Sequence, residues 1–399
     1  MDDLTHWIAR RRRQDRWFGL LGLACTLLVI AALGLLLLRL ITDTLALADN
    51  APKALAIQSL QLQPATGPRP ARLLLELDDH TLDLALAPQQ WAVLRDHLEK
   101  PVQCQLRGRH LRLSWPAVHE PLVLLPLDAE QFRALTADDN SLGRLAHALG
   151  LFFTSFPSGQ PSEAGILSAW VGTLCVLLVT AVLAIPLGVG AGIYLEEYAS
   201  KNWLTTLLEI NISNLAGVPS ILYGLLALSV LVYSLQMGRG ILTGGITLAF
   251  LILPIIIVAT REALRTVPKS IREAAYALGA TRWQVVRHHL LPYSAPGIWT
   301  GIFLGLSRAL GETAPLLTIG ALTFLAFLPP APVQSEFPFV SGDWLFSPFT
   351  TLPIQLYNWL SRPNPAFRAH AAAAGLVLLL VTVILHALAL WMLRFRKRP

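Results

Sequence analysis

The sequence predicts an all-α polytopic membrane protein of six transmembrane helices, with a small α+β extracytoplasmic domain inserted after the first helix. Three observations predict it. Of 399 residues, 54% are hydrophobic and only 14% charged, against about 25% charged in a soluble domain. Six runs are nearly free of charge and long enough to cross a bilayer, which needs about 20 apolar residues as a helix. Lys and Arg cluster in alternate connecting segments.

In order, the runs are Trp17 to Leu38, Ala164 to Leu195, Ile210 to Gly238, Gly240 to Thr260, Leu290 to about Pro330, and Ala369 to Leu393. The fifth is interrupted only by Arg308 and Glu312. Orientation is set by the basic flanks. Arg10 to Arg13 and Arg16 precede the first run. Arg261, Arg265, Lys269, Arg272, Arg282 and Arg287 lie between the fourth and fifth. Arg394, Arg396, Lys397 and Arg398 follow the sixth. With six spans all three segments fall on one side, so both termini are expected in the cytoplasm. The first apolar run exceeds the roughly 7–15 residues of a signal-peptide core and reads as an uncleaved anchor. The expected divisions are 1–41 (basic N-terminus and first helix), 42–160 (extracytoplasmic domain), 161–393 (membrane core with a cytoplasmic loop at 261–292) and 394–399 (basic tail).

The inserted segment does not read as membrane. Arg72 to Leu77 and Thr81 to Leu86 alternate in polarity around Asp78-Asp79-His80, the signal of a β-hairpin. Pro88 to Leu98 reads as a short helix opened by proline. Gln103 to Leu106, Leu111 to Trp115 and Leu122 to Leu125 read as further strands. No catalytic constellation stands in this segment. A partner-docking or structural role fits its mixed charge. Asp78, Asp79 and His80 fit a polar hairpin turn better than a cation site.

Three cysteines, Cys25, Cys104 and Cys175, are too scattered for a disulfide framework or a metal cluster. No metal or nucleic-acid site is expected. The chain has no GxxxxGK[ST] phosphate loop, so any ATP is bound elsewhere.

The loop after the fourth run is the most specific feature. Pro268 can open a helix because its missing N–H would be unpaired there. Ala274, Ala275 and Ala277 favour helix and keep its surface low. Gly279 can take the positive φ that ends one. Thr281 and Gln284 then form a capping-box pattern. A helix–glycine–helix unit at the cytoplasmic surface results. On pattern alone it serves either as a partner-docking helix or as a basic amphipathic helix on lipid headgroups.

Glu273-Ala274-Ala275, three residues, Gly279, and then Leu291-Pro292 resemble the EAA loop of ABC importer permeases. His289 departs from the aliphatic residue usual two positions before that leucine. The resemblance implies the type I ABC importer permease fold. It also implies that Glu273, Ala274, Ala275, Gly279, Leu291 and Pro292 couple to a separate ATPase. Three further stretches resemble the phosphate-permease branch of that family, of the PstA type: Pro186 to Tyr198, Asn214 to Gly224, and Arg308 to Pro315. The resemblance implies a non-catalytic subunit of an ATP-driven inorganic phosphate importer in the cytoplasmic membrane. Its implied partners are a second, PstC-like permease, an ATPase dimer carrying ATP and Mg, and an extracytoplasmic phosphate-binding protein. A permease for another oxyanion (molybdate, sulfate or phosphonate) stands as the alternative. A membrane sensor is more remote, because no cytoplasmic segment is long enough for an output domain.

Arg308 and Glu312 would sit within a membrane helix, where a charge costs about 2.5–3.5 kcal/mol on the insertion scale. A spacing of four puts both on one helical face. Either they form a structural ion pair, or they line the translocation path with Thr313, Asn214 and Ser220. Gly217, Pro219 and Ser220 should break the third span, either as a packing kink or to expose helix-start N–H groups to an anion.

Overall fold

The structure, a computed structural model, describes residues 28, 30–50, 53–55, 57–64, 70–77, 80–96, 102–107, 110–115, 123–128, 131, 135, 141–200, 202–331 and 341–395. Outside these lie residues 17–27 of the first expected span, with Cys25, the arginines before it, the hairpin residues Asp78 and Asp79, Leu122, and the tail residues Arg396, Lys397 and Arg398.

The described residues begin with α1 (Ile30–Ala48), which leans on the last helix through Leu40 beside Gly375. Seven strands come next among the described residues: β1 (Lys53–Leu55), β2 (Ile57–Gln63), β3 (Arg72–Leu77), β4 (His80–Ala85), β5 (Gln103–Arg107), β6 (His110–Ser114) and β7 (Val123–Pro126). α2 (Pro88–Arg95) lies between β4 and β5, with Pro88 in its first turn. The strands pair antiparallel in two sheets, β2-β3-β4 and β1-β5-β6-β7. The expected hairpin pairs Arg72 with Ala85 through Leu77 with His80.

Alternation explains the sheets. Leu73, Leu75, Leu77, Leu82, Leu84, Cys104, Leu106, Leu111, Leu113, Val123 and Leu125 are all buried, in one cluster with Leu94 and Trp115. β1 and β2 were not foreseen. Gln58, Ser59, Gln61 and Gln63 dilute the apolar signal of β2, which gains its place by pairing along β3.

The helical part opens with α3 (Ser141–Thr154) and α4 (Leu167–Ile193). α4 runs on through a wider π-helical turn, Tyr194–Tyr198. α5 (Trp203–Leu215) and α6 (Ser220–Ala227) come after it, α6 extended by a π-helical Leu228–Ser234. Next are α7 (Ile241–Arg265), α8 (Lys269–Ala277), α9 (Arg282–Val285) with a π-helical Val286–Leu290, and α10 (Leu291–Gly311). α11 (Ala314–Ile319), α12 (Asp343–Phe346), α13 (Leu352–Leu360) and α14 (Phe367–Phe395) complete it.

α7 is the central post. Membrane helices gain little from hydrophobicity against one another and associate through close packing of small residues. Gly188 and Gly192 of α4 press on Ile256 and Thr260 of α7. On its other side Ala259 and Ala263 meet Gly301 and Gly297 of α10. The Thr180 hydroxyl donates to the Gly245 carbonyl across the α4–α7 contact, at 3.2 Å.

Among the described residues four helices are long and apolar enough to cross a membrane: α1, α4 with its π turn, α7, and Phe367–Met392 of α14. A fifth results if Trp203–Leu215 and Ser220–Ser234 count as one span, bent by 104°. The fifth expected run is not one helix. α10 ends at Gly311, Glu312 leaves it with ψ 122°, and α11 is only six residues long. Gly311 weakens the helix end and Pro315 lacks the N–H needed to continue it. α10 has 21 residues, about 31 Å at 1.5 Å per residue, but its Pro, Gly, Ser and Arg residues keep it from being as apolar as the other four.

Candidate functional site

The cytoplasmic loop is built as its residues dictate. Pro268 is the N-cap of α8. Gly279 ends it at φ +81°, its N–H donating to the Tyr276 carbonyl at 2.9 Å. The Thr281 N–H donates to Gln284 Oε1 at 2.8 Å, and the Gln284 N–H returns to Thr281 Oγ1 at 3.4 Å, a complete capping box. Ile271, Ala275, Ala280, Val285, Val286 and Leu290 pack with Leu264 of α7 and Val267 just after it, and with Ile193 of α4 and Tyr198 of its π turn. The loop is therefore a small core that joins the ends of three long helices.

Its outer face is bare. Leu278 is 90% exposed, Trp283 55% and Tyr276 44%. Glu273, Ala274 and Ala277 share that exposed side, whereas Ala275 turns inward. Gly279 lies at the exposed tip, Leu291 is half-buried against the core, and Pro292 is exposed in the first turn of α10. His289, which stands where the family pattern has an aliphatic residue, is exposed.

Beneath the loop runs an ion-pair network that sequence reasoning missed. Arg261 bonds Glu209 at 2.7 Å and Glu196 at 3.4 Å. Arg265 bonds Glu196 at 3.0 Å and Glu262 at 3.0 Å. Arg272 bonds Glu197 at 2.8 Å. Glu196 and Glu197 stand in the π turn that ends α4. Adjacent carboxylates at the end of one apolar run, and arginines at the end of another, were the available signal.

The second cluster lies at the far end of α10. Arg308 Nε stands 3.5 Å from Glu312 Oε1, with their side chains 39% and 19% exposed. Arg308 occupies the last turn of its helix, where the carbonyl ends favour a cation. Thr313 caps α11 through its backbone position, without a side-chain bond. α6 and α11 touch at Gly224, where a Cβ would meet the Thr318 hydroxyl and Pro315.

The break in the third run falls where Gly217, Pro219 and Ser220 place it. Pro219 caps α6 and Ser220 is its first residue. Asn214 remains exposed on α5, its carbonyl accepting from the Gly217 N–H at 3.0 Å. The Tyr223 hydroxyl donates to the Leu215 carbonyl at 2.8 Å and so ties the two limbs together. Of the five residues expected along a path, Arg308 and Glu312 pair and Thr313 follows them in the chain, while Asn214 and Ser220 flank the bend in the third run. Among the described residues no group of three or more metal-ligating side chains assembles.

The sequence is similar to those of known proteins. The chain is 35% identical over 242 residues to the phosphate transport system permease protein PstA of Yersinia pestis, covering 61% of this chain and 77% of that one. It is 32% identical to the probable ABC transporter permease protein YqgI of Bacillus subtilis, covering 60% and 82%. It is 31% identical to the phosphate transport system permease protein PstC of Xylella fastidiosa, covering 63% and 80%. Residues 184–398 match the family described as binding-protein-dependent transport system inner membrane component. The chain belongs to that family of ABC importer permeases: it is a multi-pass membrane transport component similar to the PstA type, and not an enzyme.

Proposed function

We propose that this chain is a permease subunit of an ATP-driven inorganic phosphate importer, forming half of the translocation path. The observation that carries the reading is the cytoplasmic loop. It presents a bare surface of Glu273, Ala274, Ala277 and Leu278 on a core fastened to α4, α7 and α10. A surface so exposed on so anchored a base suits a partner that pushes on it. In this reading the partner is an ATPase dimer, which binds ATP and Mg. The other half of the path is a PstC-like permease, and an extracytoplasmic protein delivers phosphate. Six spans result when the bent pair and α10 each cross. The strands of 42–160 then face outside and both termini face the cytoplasm. The substrate class is taken from the relatives named as phosphate permeases.

Arg308 supplies a planar fork of donors that matches an oxyanion. Glu312 balances that charge when the path is empty. When phosphate passes, its carboxylate accepts a hydrogen bond from the protonated phosphate oxygen. Sulfate has no such proton at neutral pH, so Glu312 also selects. The partial exposure of both side chains fits a wet path better than a sealed structural pair.

The Glu312→Gln variant tests this role. A hydrogen bond to a charged group contributes about 1.5–3 kcal/mol, so phosphate uptake should fall roughly tenfold or more while membrane levels hold. Sulfate should compete better than in the parent. Unchanged uptake and unchanged competition would leave Arg308 and Glu312 as a structural pair.

A further inference from the structure

Arg272 is a largely buried tie between the loop and the membrane helices. Its Nη2 donates to Glu197 Oε1 at 2.8 Å and to the Leu264 carbonyl at 3.0 Å. Its Nη1 donates to the Val267 carbonyl at 2.7 Å, and its Nε reaches Glu197 Oε1 at 3.3 Å. The two side chains are only 18% and 10% exposed. One guanidinium on α8 therefore holds the end of α4 and the end of α7 at once. Its planar fork of five donors makes this possible, where a lysine would offer a single point.

These contacts lie in series with the close packing above them. α4 is seated on α7 at Gly188 and Gly192, and α7 on α10 at Gly297 and Gly301. At each of these contacts the helices approach so closely that a Cβ on the glycine would clash. Arg308 stands in the last turn of α10, about 26 Å from its start by helical rise. Besides the apolar core of the loop, this largely buried ion pair gives a displacement of α8 a direct side-chain route to α4 and α7, and from α7 to α10, which carries Arg308.

We propose that Arg272 and Glu197 are positioning residues that form the strut through which the partner ATPase's stroke on α8 drives the helices, so that cutting the strut separates ATP hydrolysis from transport. The proposal rests on the importer reading. It goes beyond docking, because Glu273 and Leu278 meet the partner whereas Arg272 and Glu197 face inward.

The test uses the whole transporter, with its binding protein, in proteoliposomes. Radiolabelled inorganic phosphate uptake and ATP hydrolysis are measured on the same preparation, for the parent, Arg272→Ala and Glu197→Gln. The strut predicts ATP hydrolysis within about twofold of the parent and phosphate moved per ATP reduced about tenfold, inside the usual range of coupling effects. Arg272→Lys should fall between, since it keeps the charge and loses the carbonyl ties. Glu197→Gln keeps an oxygen for the guanidinium and carries the test if Arg272→Ala does not assemble. If both rates fall together at a constant ratio, or neither changes, the strut is overturned and Arg272 only packs the loop. If the parent itself takes up no phosphate with ATP, the importer reading falls and the strut with it.

Discussion

At the scale of single residues, size and burial make the clearest predictions. Gly224 is where α6 meets α11, and a Cβ there has no space beside Pro315 and Thr318. Gly224→Val should destabilise by at least about 1–3 kcal/mol, the usual result of overpacking. Gly190, with nothing within 4 Å of an added Cβ, should accept alanine. Thermal unfolding of the two variants in detergent checks both, and a tolerant Gly224→Val would mean that the two short helices separate easily.

Cys104 makes a chemical prediction. It is 3% exposed inside the sheet core, and burial pushes its thiol from 9.0 up to about 12. The thiolate is the reactive form, so iodoacetamide at pH 8 should label Cys104 only after unfolding. The effect of pH on stability has a definite sign. Between about 9 and 12 the folded state holds a proton that the unfolded state has lost, so the sheets should lose stability as pH rises through that window. Rapid labelling of the folded protein at pH 8 would contradict the packing described.

The same scale shows what the sequence could reveal. Gly279, Thr281 and Gln284 were legible because each has a local conformational reason to stand where it does. Ala275 was not separable from Ala274, because adjacent alanines on a helix look alike until the packing side is known. Glu196, Glu197 and Arg272 were visible as charges, but ion pairs 65 to 75 residues apart in sequence emerge only from the fold.

At the scale of elements, α8 and its glycine exit decide how the loop is presented. Gly279 has open space around an added Cβ, so conformation and not crowding restricts it. A left-handed conformation costs a residue with a Cβ about 1–2 kcal/mol. Gly279→Ala should lower thermal stability by that amount and reduce phosphate uptake in cells. Gly279→Asn should do less harm, because asparagine enters this region more readily. Equal stability of all three proteins would mean that the turn does not hold its conformation.

Elements with a strong period were read closely. Arg72–Leu77 and its partner strand, the proline-led α2 and the long α4 and α7 all lie within a few residues of expectation. The fifth run misled because hydropathy reports where a chain is apolar and not where its helix stops. Arg308 and Glu312 were expected on one continuous face. The helix ends between them, and their pairing bridges a terminus instead.

At the scale of the molecule, the two largest of four hydrophobic clusters among the described residues are separate. The leucines of the two sheets form one, and the helices around α7 form the other. Arg112 on β6 reaches Glu163, just before α4, at 3.4 Å and joins them. α10 falls short of the apolar standard of the other spans because it carries polar residues and the small ones that pack it on α7.

The central claim is that this chain passes an ATPase's work to phosphate movement, and one measurement tests it most directly. Radiolabelled phosphate uptake at low external concentration is compared in cells with the chain, without it, and with Glu273→Arg, with sulfate and molybdate as competitors. The account predicts loss of uptake in the deletion and in Glu273→Arg, with the variant still in the membrane and no competition in the parent. Normal phosphate uptake without the chain would contradict it, and a simultaneous failure of another oxyanion's uptake would keep the permease and change its substrate.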